Sequence, residues 1–375
     1  MKVFFAAFAA CALVSFVAGA QTGKPASKPS PASSAGLQVS TGSAAPKEGT
    51  EAKIEDIRVL EGASTDPFEL ERLGLAAVNA NQLDRGRVFF ERAWKLGALP
   101  TAAYNLACLD ARAGRVDQAF AQLDKAIAAG FDDGVALEKD SDLAALRGKP
   151  KFSAIVSGAA RNRAVGDEAA VKEGVFLLPK DGALAILLLL HDKESDPFTV
   201  SGPFADLALT HHLCVAAPRG PGRSAKKRFG WGSAERAKKA IDAAVAAARQ
   251  KAGNQKLPVL LVGVGRGGTE AFTAAARSAP ASFAGVGSIG GPFDPGAAPN
   301  PAGLRGTRLF LGFSRDAAPA ELAATRRGIE LLHQQGLQPM VAEWPGAGSG
   351  FPKDVPRAVK ETLDALAGQA PGARR

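Results

Sequence analysis

The chain has 375 residues, and Lys and Arg outnumber Asp and Glu by 46 to 37, for a formal net charge of +9. That length accommodates two or three domains and a sizeable core, and the basic balance permits anionic partners without naming one. No Lys/Arg run is interleaved with aromatics, which excludes nucleic acid as the expected partner; the 4 His and 3 Cys show no ligand spacing, so neither a metal nor a cofactor is expected.

Residues 1–20, "MKVFFAAFAACALVSFVAGA", read as a signal peptide. Lys2 gives the positive start, a short apolar run follows, and Ala18-Gly19-Ala20 is a small-x-small cleavage site. The expected location is therefore periplasmic or secreted. The alternative, lipidation at Cys11, would leave the apolar "ALVSFVAGA" on the mature protein. No other run is long enough to span a membrane. Residues 21–52 are rich in Pro, Ser, Ala and Gly, with almost nothing to bury, and are expected to be a disordered linker.

Residues 53–160 are expected to be an all-α module. Within it, 67–130 repeats at a period of about 33 residues. Apolar residues recur at helical spacing through Leu70, Leu73, Ala77, Phe90 and Ala93, then Leu106, Ala107, Leu123 and Ala126. Small residues at Gly74 and Ala107, and at Gly86 and Ala119, occupy corresponding places and let paired helices approach. The pattern, above all "YNLACLDARAGRVDQAFAQLDKAI", resembles a tetratricopeptide repeat. The resemblance implies a groove for a protein or peptide partner; the alternative is a helical appendage that only packs on its neighbour. A third, imperfect unit to about Gly158 reads as a terminal cap. Cys108 here and Cys214 further on sit in apolar elements and are expected to be buried thiols.

From Gly174 short apolar runs alternate with amphipathic helical stretches. The runs are 174–178, 183–191, 212–218, 257–263, 284–291, 307–313 and 338–344; helical patterns cover 201–210, 233–252, 267–278, 319–335 and 354–368. Continuous apolar strands separated by helices predict a mostly parallel, doubly wound α/β sheet, with any site at the loops after the strand C-termini. Residues 369–375 read as a tail.

Within "LLVGVGRGGTEAF" (260–272), Gly263-Val264-Gly265-Arg266-Gly267 follows a strand and opens a helix. That is the context of the G-x-S-x-G nucleophile elbow. Gly263 and Gly267 meet its steric demand, but Gly265 has no atom with which to attack. The same letters fit G-x-G-x-x-G; a dinucleotide site, however, should open the first βαβ unit and carry an acid on the next strand, and "AGVGSIGG" has none.

Residues 174–368 resemble the α/β-hydrolase fold, in its carboxylesterase, phospholipase and dienelactone hydrolase branch. The pieces that carry the resemblance are "LLLLHD", "VAAPRGPG", Trp231, the elbow, "RLFLGFSRDAAP" and "EWPGAGSGFP". The family order of Ser, Asp and His implies that the serine falls on Gly265, the acid on Asp316 and the histidine on Ser349. Two of the three are substituted. Where the family shows His-Gly, His191 is followed by Asp192-Lys193, a carboxylate that would oppose an oxyanion.

No replacement nucleophile is evident: Ser288 is expected to be buried by backbone, Thr269 faces away, and Ser349 has no positioned base. His211, His212 and His333 lie at the wrong end of a strand or outside the sheet. No catalytic residue is therefore expected, and losing a nucleophile or base costs on the order of 10⁶ in turnover. Arg219, Arg223, Lys226, Lys227 and Arg228 in the loop 218–232, with Arg266 at a helix N-terminus, admit an anionic small ligand in the cleft; the alternative is a solvated basic loop with Arg266 paired to a nearby acid. Arg266, Arg219, Arg223, His191 and Trp231 are the candidate contacts, and Trp344 is a second possible wall. The reading is an exported non-catalytic protein; the alternative is an esterase or acyl hydrolase with an unconventional nucleophile.

Overall fold

The computed structural model describes residues 64–294, 296, 300–346 and 350–367. The expected signal peptide, the linker, Ser349 and the 369–375 tail lie outside them. Among the described residues no helix is long and apolar enough to cross a membrane.

The chain begins with helical hairpins. α1 (Pro67–Asn79) is started by Asp66, whose carboxylate accepts the Phe68 N–H at 3.0 Å, and by Pro67, whose missing N–H costs nothing at that position. It packs on α2 (Leu83–Gly97), and α3 (Pro100–Arg112) packs on α4 (Val116–Ala129). The α1–α2 contact is close because Gly74 lies under the Phe90 ring and Gly86 against Val78. A short helix, α5 (Gly134–Lys139), and a 3-10 turn, Ser141–Leu146, follow. Asp140 joins them: its carboxylate accepts the Asp142 N–H at 2.9 Å and the Tyr104 hydroxyl at 2.6 Å. α6 (Pro150–Lys172) then runs unbroken through the domain boundary expected near residue 160.

The second half is a mixed α/β unit around a mostly parallel sheet of seven strands, in the order β1-β3-β2-β6-β7-β8-β9. These are β1 (Val175–Leu177), β2 (Ala185–Leu190), β3 (Leu213–Ala217), β6 (Val259–Val264), β7 (Gly285–Ile289), β8 (Arg308–Ser314) and β9 (Met340–Trp344). β1 is antiparallel to β3, and every other pair is parallel, with registers such as Leu188↔Leu261 and Gly263↔Ser288. All seven apolar runs became strands. Four central strands are buried along their whole length, as a sheet covered on both faces requires. Alternate residues then feed two cores. Ile186, Leu188, Leu190 and Leu261 face α8 (Ala234–Lys251) and α9 (Arg266–Ala276); Leu187, Leu189, Leu260 and Val262 face α7 (Pro197–Thr210) and α11 (Val355–Ala367). α10 (Pro319–Gln334) links β8 to β9.

Two local features depart from expectation. The basic loop 218–232 is an antiparallel ribbon of β4 (Gly222–Ala225) and β5 (Arg228–Gly230). The helical half is also tied into the sheet by one guanidinium. Arg236 of α8, with 6% of its side chain exposed, pairs with Asp132 at 2.7 Å and with Asp167 of α6, and donates to the carbonyls of Arg163 and Pro221.

Candidate functional site

The C-terminal ends of β2, β6, β7, β8 and β9 converge at one edge of the sheet. β6 ends in a sharp turn at Gly265 (φ 53°, ψ −125°) directly before α9. Only glycine reaches such angles without strain. Helix and strand touch here: a Cβ on Gly263 would overlap the backbone of Gly267. The geometry is that of a strand–elbow–helix turn, and it presents hydrogen where a nucleophile would stand.

The space above that hydrogen is filled by Asp192, from the turn after β2. A Cβ added to Gly265 would fall within the Asp192 carboxylate. Asp192 Oδ1 accepts two backbone N–H groups, from Arg266 at 2.7 Å and from Lys193 at 2.7 Å. One donor follows the elbow position and the other lies in the turn after β2. The two N–H groups form a small nest that holds the chain's own carboxylate. Burial raises the Asp192 pKa, and the two N–H groups and the Lys193 charge work against that shift. Glu194, in the same turn, is also raised by burial.

His191 is not a base for this site. Its Nε2 accepts the Gly220 N–H at 2.8 Å, so the other ring nitrogen, Nδ1, carries the proton and donates to the Asp192 carbonyl at 2.6 Å. The ring is fully buried beside Trp231, with centroids 4.8 Å apart, and burial pushes its pKa down to about 4. Trp231 Nε1 donates to the His191 carbonyl at 2.9 Å.

The remaining sequence candidates are also engaged by the protein itself. Arg266 grips Glu270, one turn along α9, at 2.7 Å. Arg219 pairs with Glu173 at 2.6 Å and lies over the Phe229 ring at 4.3 Å. Arg223 lays its stem against Gly130 at the end of α4. Of the three, Arg219 ties the ribbon to the end of α6, Arg266 pairs within its own helix, and Arg223 is exposed with its stem near Gly130. Asp316, after β8, is exposed and accepts the Gly346 N–H at 3.0 Å, which orders the entry to the loop after β9. Ser349 lies outside the described residues. Ser288 is buried under the elbow and hydrogen-bonds Gly291. Trp344 packs on Phe310 in the core.

Two features escaped the sequence reading. An open cavity of about 750 Å³ lies where the α1–α2 hairpin meets the Asp192–Glu194 turn. Cys108, Asp140 and Asp142 also gather their ligand atoms within 4.8 Å of one another, a group able to hold a metal ion. In the structure the Cys108 thiol donates to Asp140 Oδ2 at 3.4 Å, beside the Tyr104 hydroxyl, so hydrogen bonds already satisfy that oxygen.

The fold and this edge of the sheet define a mixed α/β protein with a strand–elbow–helix turn at Gly265. No protein-family profile and no curated sequence matches the chain. Among solved structures, an uncharacterized protein from Bacillus cereus ATCC 10987 is 12% identical, with a TM-score of 0.44 over 81% of this chain and 99% of its own. Esterase PE8 is 17% identical, with a TM-score of 0.44 over 51% of this chain and 98% of its own. The dienelactone hydrolase-like promiscuous phosphotriesterase P91, from metagenomic libraries, is 11% identical, with a TM-score of 0.42 over 52% and 92%. The likeness to esterase and dienelactone hydrolase-like structures thus spans about half the chain and is distant.

Proposed function

We propose that the α/β half is a hydrolase-type scaffold without ester chemistry, carried on an exported chain whose helical half is a tetratricopeptide-like module for a protein or peptide partner. One observation carries the reading: Asp192 Oδ1 sits between the Arg266 and Lys193 N–H groups, above a glycine at the elbow. A transition-state oxyanion would have to displace a carboxylate already seated there, and no side chain on residue 265 could generate it. The pairwise packing of α1 with α2 and α3 with α4, with small residues at the contacts, supports the repeat reading.

A second reading is favoured by the same carboxylate. Asp192 is itself a potential nucleophile or base at the elbow, which would make the protein an esterase or acyl hydrolase of unconventional type, an activity in line with the hydrolase names of its structural neighbours. Incubation of the full chain with a fluorophosphonate and with short p-nitrophenyl esters separates the two. The first reading expects neither labelling nor turnover above the buffer rate. Stoichiometric labelling, or turnover abolished in Asp192→Asn, would establish the second.

A further inference from the structure

The cavity beside Asp192 has a distinctive lining. Phe68 and the half-exposed Leu96 supply apolar wall from the α1–α2 hairpin. Lys95, Lys193 and Lys226 bring ammonium groups from three separate segments; Lys193 lies within the field of Asp192 and Glu194, and among the described residues no ion pair is formed by Lys95 or Lys226. Two of the three acids of the lining are otherwise engaged: Asp66 caps α1 and Asp192 fills the two-N–H nest. The third, Glu194, has its pKa raised by burial, against the nearby Lys193 and Arg72 charges. Unpaired positive charge beside apolar surface fits an acid with an apolar body.

Asp192 lines this cavity and also fills the nest. We infer that Asp192 is a displaceable internal ligand, and that the cavity takes an aliphatic or aryl carboxylic acid whose carboxylate replaces it between the Arg266 and Lys193 N–H groups. This inference rests on the non-catalytic reading of the elbow, since it assigns the nest to binding. The lysines hold the incoming charge while the exchange takes place. Phe68 and Leu96 cover the tail, so a ligand bridges the helical hairpin and the sheet.

The test is isothermal titration of the full chain with octanoate and with 1-octanol, repeated on Asp192→Ala and on Lys193→Ala/Lys226→Ala, with folding checked by circular dichroism. Octanoate is expected to bind saturably and at least tenfold more tightly than octanol. Asp192→Ala, which removes the internal competitor, should tighten octanoate at least tenfold and move the Arg266 amide resonance on binding; the lysine variant should weaken it at least tenfold. Octanoate binding no tighter than octanol, or unchanged by Asp192→Ala in a folded protein, overturns the inference. Fluorophosphonate labelling reads the elbow separately, so a protein that is unlabelled and indifferent to octanoate refutes this inference alone.

Discussion

Whether the Asp192 carboxylate occupies the place of a nucleophile can be tested by a double-mutant cycle with Gly265→Ala. The alanine methyl would meet two penalties. Residue 265 has φ 53° and ψ −125°, a conformation that costs a residue with a Cβ about 1–3 kcal/mol. The methyl would also overlap the Asp192 carboxylate and drive it from the Arg266 and Lys193 N–H groups. Each of those hydrogen bonds to a charged acceptor contributes roughly 1.5–3 kcal/mol. Gly265→Ala in the native background should therefore cost about 4–9 kcal/mol, of which only the backbone part, about 1–3 kcal/mol, remains once Asp192→Gly has cleared the space. The coupling energy should reach about 3–6 kcal/mol, well above the ~0.5 kcal/mol scatter of independent sites. Urea unfolding followed by far-UV circular dichroism measures all four corners. Additive effects would show that the carboxylate does not stand over residue 265, and the account of the site would go with it.

Rebuilding chemistry at the elbow needs one change more than the sequence suggests: Gly265→Ser with Ser349→His should stay unlabelled by fluorophosphonate, whereas adding Asp192→Gly should give measurable labelling, and an inert folded triple variant would refute the alignment of the elbow. His191 is held neutral, with its pKa at about 4 against an ordinary 6.5, so the unfolded chain binds a proton that the folded chain refuses. Its contribution is whole above pH 6.5 and falls by up to about 3 kcal/mol as pH drops toward 4; His191→Asn should flatten the urea stability profile in that window. Glu71 has the opposite sign. Burial raises its pKa from 4.5 to about 7, so stability is lost as pH rises through 7, and Glu71→Gln should gain up to about 3 kcal/mol at pH 8 and little at pH 4.5; an equal gain at both values would refute the assignment. Arg236→Ala should cost about 3–5 kcal/mol by leaving Asp132 without its partner and Asp167 with only the longer Lys239 contact at 3.9 Å, and Arg236→Lys should not restore it, because one ammonium cannot reach acceptors on four sides; thermal denaturation reads both.

The sheet was legible because its strands are apolar along their whole length. "AILLLL" and "VLLVGV" admit no other role at that length between helical patterns, and both are buried throughout. The elbow was legible because Gly263 and Gly267 are demanded by the contact between β6 and α9. What filled the elbow was not. "HDK" signals only that a carboxylate replaces the usual glycine after the strand; that its side chain turns back into the nest depends on a Lys193 N–H and an Arg266 N–H that are 73 residues apart in the chain and meet only in the folded sheet. The arginine contacts were legible only in part: an acid beside Arg266 was one of the two readings and is Glu270, one turn along the same helix, whereas Glu173, which pairs with Arg219, comes from the end of another element and could not be read from the loop. The helix α6 ran past its expected end because Gly166, which looks like a weak position, allows it to pack on the ribbon at Pro221, and Ala170 packs into the core under the sheet.

The chemistry of the nest bears on which ligand it can accept. Two aligned N–H groups hold an ionised oxygen more strongly than a neutral one, because the bonds are charge-assisted. An ester carbonyl reaching this site would have to expel a carboxylate and offer a weaker acceptor in exchange, so the equilibrium opposes the step that hydrolysis needs before any bond is broken. A free carboxylic acid in its ionised form offers an acceptor of the same kind as Asp192, and the ammonium groups of Lys193 and Lys226 favour its arrival. On the proposed reading Gly265 and Asp192 act in one direction: the first offers no attacking atom, and the second leaves a nest that would discriminate between a substrate's neutral carbonyl and an acid's permanent charge.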